Sequence, residues 1–393
     1  MALPEKSNPP TAETAAPEPE ITTSGPPELE TGGVLTIDIG AVQSNYRALS
    51  ARVSPTECAA VVKADAYGCG IEPVVRALAK SGCKTFFVAH LAEARTVRAL
   101  APEATVYALS GLPNGGAAAF AQANVRPVIG STQELAEWDA FRATSGWRGG
   151  TALHFDTGMN RLGIPVDEAA ALAQRIKTPD HGITLIMSHF ACSETPANAL
   201  NNRQIQLFRE LRMMFRGIPA SLANSSGIFL GALAHFDMVR PGYALYGGNP
   251  TPGAANPMLP VLGLKAHIVQ VRQVARGETV GYGAAWKAPR PTRVAIVSVG
   301  YADGYLRAAS GPDARRGAEM MIGNTRCHVV GRVSMDLLAV DVTAVPEHIA
   351  RRGEWATLIG NGIDIDTLAA QCGTIGYELM CGMGRRYSRI WKQ

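Results

Sequence analysis

The chain has 393 residues, enough for two domains with full hydrophobic cores, and its formal net charge is only +4 at pH 7. It contains no basic block and no apolar stretch of the roughly 20 residues that span a bilayer, which argues against nucleic-acid and membrane partners. The seven cysteines are scattered without C-x-x-C pairs, which argues against a disulfide framework and a metal site and favours a reducing cytoplasm.

The first 33 residues differ in composition from the rest of the chain. They are rich in Pro, Glu, Thr and Gly and contain no apolar run. They also lack the positively charged segment followed by an apolar one that marks a secretory signal. Because such a sequence cannot bury enough apolar surface to order itself, residues 1–33 are predicted to form a disordered tail.

An unusually placed lysine follows a short apolar run over residues 59–62. Such a run, unbroken by polar residues, is typical of a strand buried on both faces, as in a parallel sheet. The segment VVKADAYGCG, residues 61–70, therefore places Lys63 at the carboxyl end of this strand. Burial would lower the pKa of this lysine and give a nucleophilic amine. Its stem could instead reach out to solvent, and position alone leaves both interpretations open.

Strand and helix patterns alternate from residue 34 to residue 250. Apolar residues at helical spacing predict helices at 41–53, 71–80, 132–143, 167–176 and 199–215. Eight short strands are predicted at 58–62, 85–89, 105–109, 125–129, 151–156, 183–188, 219–224 and 238–240. This alternation predicts an α/β fold, a (β/α)8 TIM-type barrel over residues 34–250. In such barrels the chemistry occurs at the carboxyl ends of the strands, where Lys63 stands.

Other strand ends carry polar side chains that are candidates for a site. They are His154 and Arg161 near the fifth strand, His189 after the sixth, Asn224 and Ser225 after the seventh, and Arg240 after the eighth. Each has an ordinary structural explanation as well, such as a surface cation, a core histidine, a helix N-cap or a salt-bridged arginine. Asn224 and Ser225 are small donors before a predicted helix start, which is also a good setting for a phosphate.

After a linker at residues 251–257 the pattern becomes strand-like, with turns rich in Gly, Asn and Pro. Residues 258–393 are therefore predicted to form a mostly-β domain, with one helix near 365–372. Tyr282 lies in this domain, and strand propensity alone would make it a packed strand residue.

Several segments resemble the signatures of alanine racemases. In the barrel, VVKADAYGCG is similar to V-K-A-N-A-Y-G-H-G, and LHFDTGMNRLG at 153–163 is similar to K-x-D-T-G-M-x-R-x-G. In the β domain, ETVGYGAAW at 278–286 resembles the family's catalytic-tyrosine segment. GRVSMD at 331–336 and TIGYE at 374–378 resemble G-R-x-x-M-D and T-I-x-Y-E. The matches follow the family's order from residue 34 to about residue 390.

This resemblance implies a racemisation of L- and D-alanine that depends on pyridoxal 5′-phosphate (PLP) and supplies D-alanine for peptidoglycan. Lys63 would hold PLP as a Schiff base and act as the base on the D face of Cα, and Tyr282 would act on the L face. Arg161 would contact the phenolic oxygen of the cofactor and the substrate carboxylate. His189 would hydrogen-bond to the catalytic tyrosine, and Arg240 would face the pyridine nitrogen.

The resemblance also implies the remaining contacts and the assembly. The cofactor would be bound by Lys63, Tyr67, Asn224, Ser225, Arg240, Gly242, Tyr243 and Tyr377. The backbone N–H of Met335 would meet the substrate carboxylate, and Tyr301 and Asp336 would line the entrance. Because two chains pair head to tail in this family, a homodimer with shared active sites is expected, in which each β domain caps the barrel of its partner.

Four positions depart from the family's pattern. Asp65 stands where Asn is commoner, Cys69 where His is commoner, and Ser334 where Cys is frequent. The departure that most affects the chemistry is His154. Many relatives have a lysine at this position, carbamylated in some, and that lysine fixes the active-site arginine. Arg161 must therefore be oriented in another way.

Three alternatives remain open from the sequence. The first is a racemase of broader or shifted specificity, for example toward serine, since pocket size decides that preference. The second is a PLP-dependent decarboxylase of related fold, although the cysteine-bearing second motif of those enzymes is not evident. The third is a PLP-carrier protein without turnover, although such carriers resemble the barrel alone.

Overall fold

A computed structural model describes residues 21–178 and 180–393, and within them a parallel barrel forms the first domain. Its eight strands are Glu57–Cys58 continued by Ala60–Val61, Thr85–Val88, Thr105–Ala108, Arg126–Ile129, Thr151–Asp156, Ile183–Met187, Ala220–Ser221 and Met238–Val239. The two halves of the first strand pair with the eighth and the second strand respectively, which closes the barrel. The predicted (β/α)8 barrel is therefore confirmed, with all its strand carboxyl ends on one face.

Helices connect these strands and cover the barrel. They are Ile39–Val53, Ile71–Lys80, Leu91–Leu100, Ala117–Gln122, Thr132–Ser145, Ala169–Ala173 and Ala199–Met214. Side chains cap several of them, as where the Ser131 hydroxyl accepts the N–H of Glu134. The helix predicted at 167–176 is only a short helix with a 3-10 turn on each side. No helix of the described residues is long and apolar enough to cross a membrane.

The second domain is built on antiparallel strands, as predicted. Six strands form a ring in the order Leu262–Val274, Thr292–Val297, Leu338–Asp341, Thr325–Val330, Glu319–Ile322 and Trp355–Ile359. The ring closes because Trp355–Ile359 pairs with both Glu319–Ile322 and Leu262–Val274. The predicted helix is present as Ile365–Gln371, and a second helix, Gly376–Gly382, follows it.

The beginning of the described chain differs from the sequence prediction. Gly33–Asp38, assigned from the sequence to the barrel domain from residue 34 onward, pairs instead with Leu262–Val274 and with the last strand, Ser388–Lys392. Disorder through residue 33 is also wrong, because Ile21–Ser24 pairs antiparallel with Ser388–Lys392. A strand can pair at the edge of a sheet without being hydrophobic, because the pairing is made by backbone hydrogen bonds. Residues 1–20 of the predicted tail lie outside the described residues.

Candidate active site

Lys63 lies directly after the first barrel strand, at the start of an unusual backbone turn. The four residues that follow it, 64–67, all have φ between 53° and 55°, in the left-handed region. This conformation costs an L-residue about 1–2 kcal/mol, so surrounding contacts must hold it. Gly68, at φ 75°, ends the turn, and its N–H donates to the Ala64 carbonyl over 2.9 Å. The turn that carries Lys63 is thus strained and depends on its neighbours.

A cavity of about 690 Å³ opens at the carboxyl ends of the barrel strands. Ten residues assigned from the sequence to the cofactor or its support line it together: Lys63, Tyr67, Arg161, His189, Asn224, Ser225, Arg240, Gly242, Tyr243 and Tyr377. His154 also lines it. Tyr377 belongs to helix Gly376–Gly382, so part of the second domain reaches the barrel of its own chain.

The residues assigned to the second base and the entrance do not line this cavity. Tyr282 is 72% exposed, Met335 is 53% exposed and Tyr301 is 43% exposed. Tyr301 and Met335 lie together, because the N–H groups of Tyr301 and the following residue donate to the carbonyls of Ser334 and Met335. Asp336 accepts a hydrogen bond from Arg386 over 2.8 Å. One chain therefore presents two separate groups of predicted site residues.

The surroundings of Lys63 favour its neutral amine. Burial lowers the pKa of the lysine, and the positive charge of Arg161 lowers it further. Cys381 and Glu93 act in the opposite direction and have smaller effects on this pKa. A neutral amine is the form that attacks a carbonyl carbon or accepts a proton. Arg161 itself is exposed, and within residues 21–178 and 180–393 its side chain has no hydrogen-bond partner.

Arg240 is buried and, among the described residues, has no carboxylate partner. Its guanidinium donates to the Ser221 hydroxyl over 2.5 Å, to the Ser188 carbonyl over 2.6 Å and to the Leu222 carbonyl over 3.3 Å. Burial lowers the pKa of Arg240 to about 9, which still leaves it protonated at neutral pH. The arginine is thus held in place by neutral acceptors and keeps its full positive charge for a ligand.

Both histidines of the cavity are neutral. Burial, followed by the charge of Arg240, lowers the pKa of His154 to about 4. The same two causes lower the pKa of His189 well below its ordinary value. His189 Nδ1 lies 3.5 Å from a guanidinium nitrogen of Arg240. In the described part of the chain the His154 ring makes no hydrogen bond, so it does not replace the lysine that fixes the arginine in relatives.

Ser225 holds the backbone of the segment that follows the eighth barrel strand. Its Oγ accepts hydrogen bonds from the Gly242 and Ala244 N–H groups, each over 3.1 Å, and its hydroxyl proton can be donated to a ligand. A side chain at Gly242 would approach the Tyr67 phenol oxygen to 2.3 Å, so the close packing here needs glycine. Asn224 Oδ1 accepts the Gly227 N–H over 2.9 Å, which is the helix-capping role that the sequence left open.

An aromatic stack joins the two domains at this cavity. The rings of Tyr243 and Tyr377 lie 3.9 Å apart and 8° from parallel. The Tyr243 hydroxyl donates to Asp366 Oδ1, in helix Ile365–Gln371, over 2.6 Å. Tyr67 stacks on Tyr246 with the ring centroids 4.8 Å apart. Asp366 of the second domain thus fixes a tyrosine of the barrel beside Tyr377.

Sequence reasoning missed four side chains that support this site: Glu93, Ser221, Asp366 and Cys381. Ser221 and Asp366 act through contacts with residues 19 and 123 positions away, and no local pattern reveals such contacts. Cys381 lines the cavity from the helix that carries Tyr377. Glu93 had a local signal, because an acid at the third position of a helix is typical of an N-terminal capping box.

These residues fit an aldehyde cofactor that carries a phosphate. Lys63 offers an amine whose pKa is lowered, and the Ser225 hydroxyl offers a proton for a phosphate oxygen. Arg240 offers a guanidinium that has no competing carboxylate among residues 21–178 and 180–393, and it is suited to a ring-nitrogen acceptor. The cavity volume of about 690 Å³ lies within the range of about 300–1,000 Å³ that is usual for small-molecule sites.

Two family models match this chain. The N-terminal domain of alanine racemase matches residues 37–250, and the C-terminal domain of alanine racemase matches residues 261–391. An alanine racemase of Methylobacterium sp. (strain 4-46) is 52% identical, covering 91% of this chain and 97% of the relative. A biosynthetic alanine racemase of Agrobacterium fabrum (strain C58) is 43% identical, covering 90% and 92% respectively.

Solved structures give the same result. The crystal structure of alanine racemase from Bartonella henselae with covalently bound pyridoxal phosphate has a TM-score of 0.87 and 34% identity, covering 92% of this chain and 99% of that one. Biosynthetic alanine racemase from Pseudomonas aeruginosa has a TM-score of 0.85 and 36% identity, covering 92% and 100%. With both domains matched in order and over nearly their full length, this chain belongs to the alanine racemase family.

Proposed function

We propose that this chain interconverts L-alanine and D-alanine by two-base proton transfer at Cα, with PLP held on Lys63, and that it supplies D-alanine for peptidoglycan. Membership of the family over both domains supports the reaction and the cofactor. The observation that carries the proposal is Lys63 itself, a half-buried lysine of lowered pKa at a barrel strand end, in one cavity with Arg240. When bound, the cofactor delocalises the negative charge that develops at Cα as its proton leaves.

The residues of the cavity have distinct tasks in this proposal. Lys63, once it no longer holds the cofactor, takes or returns the proton on the D face of the substrate, a task that the lowered pKa of its amine supports. The planar fork of Arg161 binds carboxylate and phenolic oxygens. Arg240 cannot give up a proton to its ligand, so a ring nitrogen that faces it accepts a hydrogen bond and stays unprotonated.

The second base is proposed to come from another copy of the chain. Tyr282 is assigned to the L face, yet it is exposed and lies outside the cavity of its own Lys63. A homodimer related by a two-fold axis would bring the group formed by Tyr282, Tyr301, Met335 and Asp336 to the partner's barrel. The exposed side chains Tyr282 and Met335 support this assignment, because exposed large apolar groups are typical of an interface.

The proposal also covers the cellular location of the protein and its substrate specificity. A cytoplasmic location is supported by the seven free cysteines, since a reducing compartment preserves them. A carrier protein without turnover is disfavoured, because the match extends through the C-terminal domain at 261–391. Alanine is the substrate that the names of the relatives give, and serine is the competing amino acid to be tested.

The test uses the purified full chain with its cofactor. Borohydride reduction should fix the cofactor on Lys63, as read by peptide mapping, and the unreduced protein should interconvert D- and L-alanine much faster than serine. Lys63→Ala should lose both properties. Lys84→Ala is the matched control, because Lys84 is exposed and directly precedes a barrel strand, at the opposite end from the cavity. A cofactor adduct on another lysine, or no turnover of alanine by the loaded protein, would contradict the proposal.

A further inference from the structure

The turn after Lys63 needs support from outside its own sequence. Its four left-handed residues are individually unfavourable, and a lysine that takes and returns a proton must be held at a fixed distance from Cα. Within the turn, Asp65 is connected to the helix that follows, since its Oδ1 accepts the Ile71 N–H over 2.8 Å. The near end, directly after Lys63, depends on another element of the barrel.

That element is the helix Leu91–Leu100, which follows the second barrel strand. Glu93 Oε1 accepts the Ala64 N–H over 2.7 Å. The other oxygen, Oε2, accepts the Ala89 N–H over 2.8 Å and the His90 N–H over 3.1 Å. One carboxylate therefore connects the residue next to Lys63 to the carboxyl end of the neighbouring strand. Hydrogen bonds to a charged acceptor are the stronger kind, so this link resists displacement.

The barrel contains a second carboxylate with the same geometry but without a lysine. Glu134 occupies the same third position of the helix Thr132–Ser145. Its Oε2 accepts the Gly130 N–H over 2.6 Å, and its Oε1 accepts the Leu112 N–H over 3.1 Å, from the loop after the preceding strand. Both glutamates thus cap a helix and connect adjacent strand ends. What distinguishes Glu93 is the partner of its Oε1, which is the residue that follows Lys63.

We propose that Glu93 is a positioning residue for Lys63, which acts by fixing the start of the left-handed turn through the Ala64 N–H. The inference rests on the function proposed for Lys63. The negative charge of Glu93 also opposes the lowering of the Lys63 pKa, which comes first from burial and then from Arg161. Glu93 touches neither substrate nor cofactor in this proposal, and its effect on the reaction passes through the lysine.

The experiment compares Glu93→Gln with Glu134→Gln in the full-length protein loaded with its cofactor. A glutamine has a single acceptor oxygen, so it cannot serve Ala64 and the Ala89–His90 N–H groups at once, and both variants lose the same kinds of bond. Hydrogen exchange, read by mass spectrometry on peptides that cover residues 62–70, should be about tenfold faster in Glu93→Gln and unchanged in Glu134→Gln. This measurement detects a change in the stability of the turn even if Lys63 takes no part in the reaction.

A second readout separates positioning from general loss of stability. With Cα-deuterated substrates, the primary isotope effect on kcat/KM should rise for D-alanine and fall for L-alanine in Glu93→Gln, because transfer at Lys63 becomes more rate-limiting. Glu134→Gln should leave both isotope effects unchanged. Glu93→Asp, which keeps the charge but shortens the side chain, should change exchange and isotope effects in the same directions, and it replaces Glu93→Gln if that variant does not fold.

Two outcomes would overturn the inference. One is equal exchange of the 62–70 peptides in the Glu93 and Glu134 variants. The other is faster exchange in the Glu93 variant with isotope effects that match the wild type. Failure of the proposed function is a different result, because it would appear in the wild type as a cofactor adduct on another lysine or as no alanine turnover.

Discussion

The separation of Lys63 and Tyr282 within one chain predicts how hybrid enzymes behave. Lys63→Ala removes the lysine proposed to hold the cofactor, and Tyr282→Phe removes the hydroxyl proposed to act on the L face, so each variant alone should be inactive. Within its own chain Tyr282 is 72% exposed, so loss of its hydroxyl should change the free energy of unfolding of that chain by less than about 0.5 kcal/mol. Any loss of activity in Tyr282→Phe should therefore come from chemistry and not from unfolding.

The expected recovery follows from the two-fold arrangement. If equal amounts of the two variants exchange subunits at random, about half of the dimers are hybrids. In each hybrid one site combines both substitutions, while the other combines an intact Lys63 with an intact Tyr282. One working site in every second dimer gives about a quarter of the wild-type activity.

The assay is alanine racemisation, with exchange verified by native mass spectrometry. Each variant taken alone through the same exchange procedure is the control, and neither should gain activity. If hybrids form and no activity returns, both residues act from one chain, and the assignment of the second base to the partner is refuted. Recovery near a quarter would be inconsistent with a site built from a single chain.

Three further predictions concern groups inside the cavity. Arg240→Glu should lower racemisation and destabilise the protein by about 3–5 kcal/mol in chemical denaturation, because its carboxylate would face backbone carbonyls; unchanged activity would remove Arg240 from the site. His154→Gln should keep most of the turnover between about pH 6 and 9, because a pKa of about 4 leaves His154 neutral there; lost turnover with cofactor retained would give His154 a larger role. Asp366→Ala and Tyr243→Phe should each weaken cofactor binding in equilibrium dialysis, and the double variant should bind no more weakly than Asp366→Ala alone, because Tyr243→Phe removes only one of the two hydrogen bonds that Asp366 accepts, from the Tyr243 hydroxyl and the Asn249 N–H; additive losses would show that the two side chains act independently.

Much of the fold could be predicted because its signals are local. Each of the eight barrel strands is a short apolar run, and each predicted range overlaps the observed strand. The position of Lys63 at the end of the first strand is also a local signal, because it depends only on the apolar run that precedes it. The ten predicted residues that line the cavity were found through motifs, and parallel strands bring their carboxyl ends to the same face.

What the sequence did not reveal depends on distant partners. Gly33–Asp38 lies in the segment that the sequence assigned to the barrel domain, but its pairing with residues 262–266 takes it into the second domain. The left-handed turn after Lys63 runs through alanine, aspartate and tyrosine, residues with no strong preference for it, so tertiary contacts such as Glu93 must impose it. The contact between Tyr243 and Asp366 spans 123 positions and both domains.

The cavity contains more basic than acidic side chains, so its charge must be balanced by something other than the protein. Burial favours the neutral form of both histidines, so the basic groups that remain are Lys63, Arg161 and Arg240. Among the described residues that line the cavity, the one with a carboxylate is Glu194. Buried cations usually need a carboxylate partner, yet Arg240 is held by one serine hydroxyl and two backbone carbonyls. In the proposed function the compensating negative charge comes from ligands, namely a phosphate, a phenolic oxygen and a substrate carboxylate. An acid placed beside Arg240 would compete with them, which accounts for the neutral acceptors found there.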